Sequence, residues 1–129
     1  MTFVDWYSVM AAASDAASYY KSFAFSGVYG VPRGGMVLAV LISHKMGIPV
    51  LKEPDDECLI VDDCYETGQT LDAFYEENPG AAFYVLAAKK PFSYGVAYRE
   101  VDKEQWIVFP WEDKEKALAD QEAYYASRQ

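Results

Sequence analysis

One stretch constrains the fold of this chain more than any other: Leu59-Ile60-Val61 is apolar at every position, Asp62-Asp63 follows at once, and Thr67-Gly68-Gln69-Thr70 comes shortly after. A strand that is apolar on both faces needs cover on both, as in a parallel sheet held between helix layers. Further strands are predicted over Gly27–Val31, Ile48–Leu51, Ala82–Ala88 and Gln105–Phe109. Phe3, Trp6, Tyr7, Met10, Ala13, Ala17 and Tyr20 recur at helical spacing, so an amphipathic helix is expected over about residues 3–22, with Thr2 and Asp5 as a capping box. Helices are also expected over Met36–Met46, stopped by Gly47, and over Leu71–Glu77, stopped by Asn78-Pro79-Gly80. Strands alternating with helices predict an α/β fold: a single domain over residues 1–129, with a mostly parallel twisted sheet of about five strands flanked by helices. Residues 112–129 are expected to form a peripheral helix or a subunit contact.

Composition narrows the function. The 129 residues carry a net charge of -9 and no Lys/Arg-rich stripe, which argues against nucleic acid as a partner. No basic leader precedes an apolar segment, and no apolar run has the ~18–20 residues that a bilayer span needs, so a soluble, cytoplasmic protein is expected. The two cysteines, Cys58 and Cys64, read as reduced thiols. His44 has no acidic or cysteine partner at ligand spacing and reads as structural.

In a parallel sheet, ligands bind beyond the carboxyl ends of the strands, here the loops at 30–35, 62–70 and 88–91. The Thr-Gly-Gln-Thr turn opens a helix, where free amides and the positive dipole end receive a phosphate. Gly68 permits close approach there, and the hydroxyls of Thr67 and Thr70 add donors. Asp62 and Asp63 are suited to vicinal ribose hydroxyls, directly or through a hard metal such as Mg²⁺. Gly30-Val31-Pro32-Arg33-Gly34-Gly35 reads as a second anion loop, with Arg33 offering a fork to phosphate oxygens. Two phosphate loops flanking a diol site call for a sugar phosphorylated at two positions.

The pattern Asp62-Asp63-x-x-x-Thr67-Gly68-x-Thr70 after an apolar strand, with Arg33-Gly34-Gly35 upstream, resembles the type I phosphoribosyltransferase family. Ala88-Lys89-Lys90-Pro91 and Trp106-Ile107-Val108-Phe109-Pro110-Trp111-Glu112 resemble its xanthine-guanine and hypoxanthine-guanine branch. The resemblance implies a sheet with a small, reduced hood and a Mg²⁺-dependent transfer of a phosphoribosyl group from phosphoribosyl diphosphate to a 6-oxopurine. It implies that Arg33, Gly34, Asp62, Asp63, Thr67, Gly68, Gln69 and Thr70 bind the donor, and that the peptide before Arg33 is cis. It further implies that Glu66, with Asp62 and Asp63, serves catalysis, and that Lys90, Trp106 and Ile107 hold the purine. Asp62, Asp63 and Glu112 are the metal ligands it suggests, and a homodimer or homotetramer the assembly.

One departure stands out. The family's long mobile lid joins the second and third strands, and here only Lys52–Glu57 lies between Leu51 and Cys58. The lid is read as missing or cut to a stub. Two readings follow: a transferase working under reduced cover, or a non-catalytic module that binds the donor or a nucleotide. Seven of the twenty acids fall between Glu53 and Glu66, which is read as an acidic cluster beside the sugar site that calls for a divalent cation.

Overall fold

The structure, a computed structural model, describes residues 1–127. Arg128 and Gln129, the end of the 112–129 segment, lie outside the described residues. The elements are β1 (Thr2–Phe3), α1 (Trp6–Tyr19), β2 (Val28–Gly30), α2 (Met36–Met46), β3 (Leu59–Tyr65), α3 (Gln69–Glu77), β4 (Ala82–Ala88), β5 (Val96–Glu100), β6 (Ile107–Val108) and α4 (Lys114–Ala126). The main sheet runs β2-β3-β4-β5 and is parallel throughout. β1 and β6 make a separate parallel pair.

The alternation of side chains along β3 and β4 sorts the core into two layers. Leu59, Val61, Tyr84 and Leu86 pack with α1 and α2 through Val9, Ala12, Ala16, Leu38 and Ile42. On the opposite face Ile60, Phe83 and Val85 pack with Leu71 of α3 and with Phe92 and Tyr94 of the β4–β5 crossover. Each half of the apolar pattern thus has its own helix layer, which is the physical basis of the α/β arrangement.

Several expected elements differ in detail. Asp5 is itself the N-cap of α1 and its carboxylate accepts from the Ser8 N–H at 2.8 Å; Thr2 belongs instead to β1 and donates to Gln105 Oε1 at 2.7 Å. Ile48–Leu51 follows α2 and lies beside β2 but makes a single bridge, Val28 to Val50, because Pro49 offers only its carbonyl, to the Val28 N–H. Gln105–Phe109 contributes only the short β6, which joins β1 and not the main sheet. The place beside β4 is taken by β5, whose Val-Ala-Tyr-Arg-Glu sequence is half-buried at an edge and lacks an apolar run.

The acidic segment before β3 is also placed differently from the sequence reading. Ser26, two residues before β2, donates to the Asp55 carboxylate at 2.8 Å, and the Gly80 N–H, just before β4, donates to Asp56 at 3.1 Å. Residues 52–57 therefore sit at the amino ends of the strands, a strand length of about 20 Å from the carboxyl ends. They neither cover the loops at 62–70 nor add charge to them.

Buried tyrosines give the fold an alkaline limit. Burial pushes the Tyr20 phenol up to about 12, and the Tyr84 phenol, which donates to Asp15 at 2.8 Å, is also raised by burial and by that carboxylate. The folded state holds these protons more tightly than the unfolded chain, so their contribution is complete below pH ~10 and is lost as pH rises through the folded values. Melting temperature is expected to fall progressively from pH 10 to 11.5, and Tyr20→Phe should flatten that fall. A profile that is flat for the parent chain would contradict the assignment.

Candidate active site

Three loops converge at the carboxyl ends of the main sheet, each set by its strand. β2 leads into Val31-Pro32-Arg33-Gly34, where the Pro32–Arg33 peptide is cis. The Val31 N–H donates to the Val61 carbonyl at 2.9 Å, which ties this loop to β3. Asp63 then lies so close to Gly34 that a Cβ at that position would stand 2.0 Å from Asp63 Oδ2. Only glycine fits beneath that carboxylate.

β3 runs through the two aspartates to Tyr65, so Asp62 and Asp63 are strand residues and point to opposite sides. Asp63 lines a cleft of about 580 Å³ together with Arg33, Gly34, Glu112 and Lys116. Asp62 lines a smaller pocket of about 200 Å³ with Glu66, Thr67, Gly68 and Thr70. Backbone amides stitch the pair: the Asp63 N–H donates to Asp62 Oδ1 at 2.8 Å and the Cys64 N–H to Asp63 Oδ1 at 2.7 Å. Burial, reinforced in Asp62 by the neighbouring Asp63 charge, pushes both carboxyls above the usual range. Among the described residues no cation pairs with either; the one ion pair is Lys89 to Glu66 at 2.9 Å. Two half-buried carboxylates without a counter-charge form a site for hydroxyl donors or a hard cation. No three His, Cys, Asp or Glu side chains converge as a complete cage among the described residues, so a bound cation would draw on water and ligand oxygens.

Gly68 caps α3 with φ +88°, a left-handed conformation that favours glycine. Thr67 Oγ1 accepts from the Gln69 N–H at 3.3 Å, and Thr70 stands in the first turn. Beneath the turn Asp72 accepts from Tyr65 at 2.9 Å and from Tyr94 at 2.5 Å, which fixes α3 against the crossover. Burial and the Asp63 charge push the Cys64 thiol up to about 12, which leaves it protonated and unsuited to nucleophilic attack.

A third cleft, of about 690 Å³, is lined by Glu66, Thr67, Lys89, Lys103, Trp106 and Tyr124 among others. Glu66 and Thr67 line both this cleft and the smaller pocket of Asp62 and Gly68. The two lysines at the end of β4 separate here. The Lys90 ammonium donates to the Thr67 carbonyl at 2.7 Å and lies 5.2 Å from the Tyr65 ring centre, so it braces the Thr67-to-Thr70 turn. Lys89 faces the third cleft, its side chain only 6% exposed. Trp106 meets Tyr124 with ring centres 5.3 Å apart. The Trp106 and Val108 carbonyls, on either side of Ile107, accept from the Thr2 and Val4 amides, so the Ile107 carbonyl faces away from β1. Glu112 is spent in part on a turn, accepting from the Phe109 N–H at 2.9 Å.

No family model matches the chain. It is 30% identical over 118 residues to the xanthine-guanine phosphoribosyltransferase of Cereibacter sphaeroides, covering 69% of this chain and 70% of that protein. The chain belongs to the type I phosphoribosyltransferase family. The Desulfotalea psychrophila xanthine-guanine phosphoribosyltransferase is 27% identical over 121 residues, covering 74% of this chain and 75% of that one. A purine phosphoribosyltransferase from Pyrococcus horikoshii superposes with a TM-score of 0.75 at 26% identity, over 87% of this chain and 94% of that chain. Membership makes the chain a pentosyltransferase of the purine branch.

As a phosphoribosyltransferase, the chain brings Arg33, Gly34, Asp63 and Glu112 to one cleft, Asp62, Glu66, Thr67, Gly68 and Thr70 to a second, and Glu66 and Trp106 to a third. Gln69 stands on the turn with its N–H engaged by Thr67, and Lys90 stands outside the third cleft. Sequence reading missed Lys89, because Lys89 and Lys90 are adjacent and only the direction of the strand end separates them. It also missed Lys116 and Tyr124, which a solvated helix pattern conceals. No helix among the described residues is long and apolar enough to cross a membrane.

Proposed function

We propose that this phosphoribosyltransferase moves the phosphoribosyl group of phosphoribosyl diphosphate to a 6-oxopurine: guanine, xanthine or hypoxanthine. The observation that carries the reading is the sharing of Glu66 and Thr67 between the smaller pocket of Asp62 and Gly68 and the Trp106 cleft, since the new bond must form where sugar and base sites meet.

In this reading the 5-phosphate sits on the Thr67-Gly68-Gln69-Thr70 turn, held by the free amides of α3. Asp62 and Asp63 accept hydrogen bonds from the ribose hydroxyls. Arg33 receives the diphosphate beside the Gly34 backbone. Of the three expected ligands only Asp63 and Glu112 line one cleft, so Mg²⁺ would be held there by these two with donor and water oxygens completing its shell, and would neutralise the anionic donor, while Asp62 lines the other pocket. The base stacks on Trp106, a contact worth about 1–3 kcal/mol. Lys89, facing that cleft, supplies the hydrogen bond to the purine O6, and Lys90 holds the phosphate turn. An ammonium donor favours a carbonyl over an amino group, which selects oxopurines over adenine. The Ile107 carbonyl, facing away from β1, accepts from the purine.

In the reaction a purine ring nitrogen forms a bond to the anomeric carbon as the bond from that carbon to the diphosphate oxygen breaks, and the diphosphate leaves with the electron pair. The purine N–H proton passes to Glu66, whose carboxylate is within reach of the shared region, and then to solvent. A second reading, a binding module that holds donor or nucleotide without turnover, is favoured by the position of residues 52–57 away from the site.

Chromatography of mixtures of protein, phosphoribosyl diphosphate, Mg²⁺ and each of guanine, xanthine, hypoxanthine and adenine tests this directly. Nucleoside monophosphate and diphosphate should appear in equal amounts with the oxopurines and at least 10-fold more slowly with adenine. Micromolar donor binding by calorimetry with no nucleotide from any base would overturn the transferase in favour of the binding module.

A further inference from the structure

The C-terminal helix lies across the site. Lys116, Ala117 and Asp120 line the cleft of Arg33 and Asp63, and Tyr124 and Tyr125 line the cleft of Trp106 and Lys89. Lys116, Asp120 and Tyr124 are spaced i, i+4, i+8, so they form one stripe of α4. At 1.5 Å per residue the stripe spans about 12 Å from Lys116 to Tyr124. One helix face therefore meets both clefts, one at each end.

We propose that this stripe is the third wall of the active site, with Lys116 a diphosphate-binding residue and Tyr124 a base-specificity residue beside Trp106. The inference rests on the transferase reading above and adds to it α4, Lys114–Ala126, which the family resemblance leaves without a role. Arg33 is the one cation that the β2 loop brings to the diphosphate cleft, and Lys116 adds a second, with no ion pair of its own among the described residues. At the other end Tyr124 packs against Trp106 at 45° with ring centres 5.3 Å apart, and both rings line the cleft that Lys89 faces. A planar base stacked on both needs the rings about 7 Å apart, so Tyr124 moves outward with α4 to admit it and then offers a second π-face, where Trp106 alone would offer one.

The way α4 is attached suits a cover that opens for substrate. Asp113 caps it, its carboxylate accepting from the Lys116 N–H at 3.1 Å, and at the far end the Tyr125 hydroxyl donates to the Glu104 carbonyl at 3.1 Å. Between these anchors Ala117 is the one buried residue of the helix. A helix with so little buried apolar surface opens at low cost. It stands at the carboxyl ends of the strands, while residues 52–57 stand at the amino ends. Cover over the reacting centre thus comes from the C-terminal helix.

Steady-state kinetics with both substrates varied, and calorimetry with phosphoribosyl diphosphate and Mg²⁺, test the proposal on Lys116→Gln, Tyr124→Ala, Tyr124→Phe and Glu122→Gln. Glu122 lies on the opposite side of α4 and is the control. Lys116→Gln should cost about 10–100-fold in kcat/KM for phosphoribosyl diphosphate and weaken its binding, with KM for the base unchanged, as for one lost charge-assisted contact. Tyr124→Ala should raise KM for guanine about 10-fold and leave donor binding intact, and Tyr124→Phe should restore it. Turnover by the parent chain with Lys116→Gln and Tyr124→Ala unchanged overturns the role of α4 and leaves the transferase standing. Equal losses for both substrates, or a loss in Glu122→Gln, mean that the helix only supports the fold, and also overturn it. A parent chain that neither binds nor consumes phosphoribosyl diphosphate overturns both readings together.

Discussion

Asp63→Asn is expected to lower kcat/KM by about 10²–10⁴-fold and to raise the melting temperature of the same protein. The activity loss follows from two charge-assisted contacts, to a ribose hydroxyl and to the cation, each worth about 1.5–3 kcal/mol. The stability gain follows from electrostatics. Asp62 and Asp63 are half-buried neighbours whose carboxyls are both raised, chiefly by burial, above the ordinary value of 3.8. A carboxyl that titrates higher in the folded state than in the unfolded chain disfavours folding once pH rises past its unfolded value, so at neutral pH the pair is a cost to the fold. The amide removes one charge and, with its Oδ1, still accepts from the Cys64 N–H, now 2.7 Å from Asp63 Oδ1. Kinetics and thermal melts on one preparation check both halves. Full activity, or a lower melting temperature, would show that the pair has no such role.

Gly34→Ala is expected to cost about 100-fold in kcat/KM, as for a displacement of about 1 Å in a positioned group, and to lower the melting temperature. The new Cβ would stand 2.0 Å from Asp63 Oδ2 and 2.6 Å from its Cγ, a separation no packing tolerates. Either the carboxylate swings away from the Arg33 cleft or the loop that carries Arg33 retreats, and each breaks the alignment of diphosphate and ribose sites. Overpacking of this kind typically destabilises by about 1–3 kcal/mol. The two substitutions therefore share a contact yet move stability in opposite directions. In an Asp63→Ala background the clash partner is gone, and the destabilisation by Gly34→Ala should vanish. A drop in melting temperature that persists there would locate the strain elsewhere in the loop.

Much of this site was legible because its signals are local. The run Leu59-Ile60-Val61 requires cover on both faces, and the cores around Tyr84 and Phe83 supply it from two layers. Thr67 to Thr70 opens α3 as expected, with Gly68 at positive φ. What failed were relations between distant segments. Glu53–Glu57 are close to Asp62 in sequence, yet a strand in between carries them to the other end of the sheet. The edge strand β5 escaped notice because half-buried Val96 to Glu100 has no pattern beyond its pairing with β4.

By itself, then, the sequence determined three of the four strands of the main sheet, the helix layers on its two faces and the glycine loops after β2 and β3, since apolar periodicity and glycine placement act over a few residues. Only the tertiary structure decided which of two adjacent lysines faces the Trp106 cleft, and that a helix from the charged C-terminal segment lies over both clefts. Those outcomes depend on strand direction and on where a chain end docks, and neither leaves a mark in local composition.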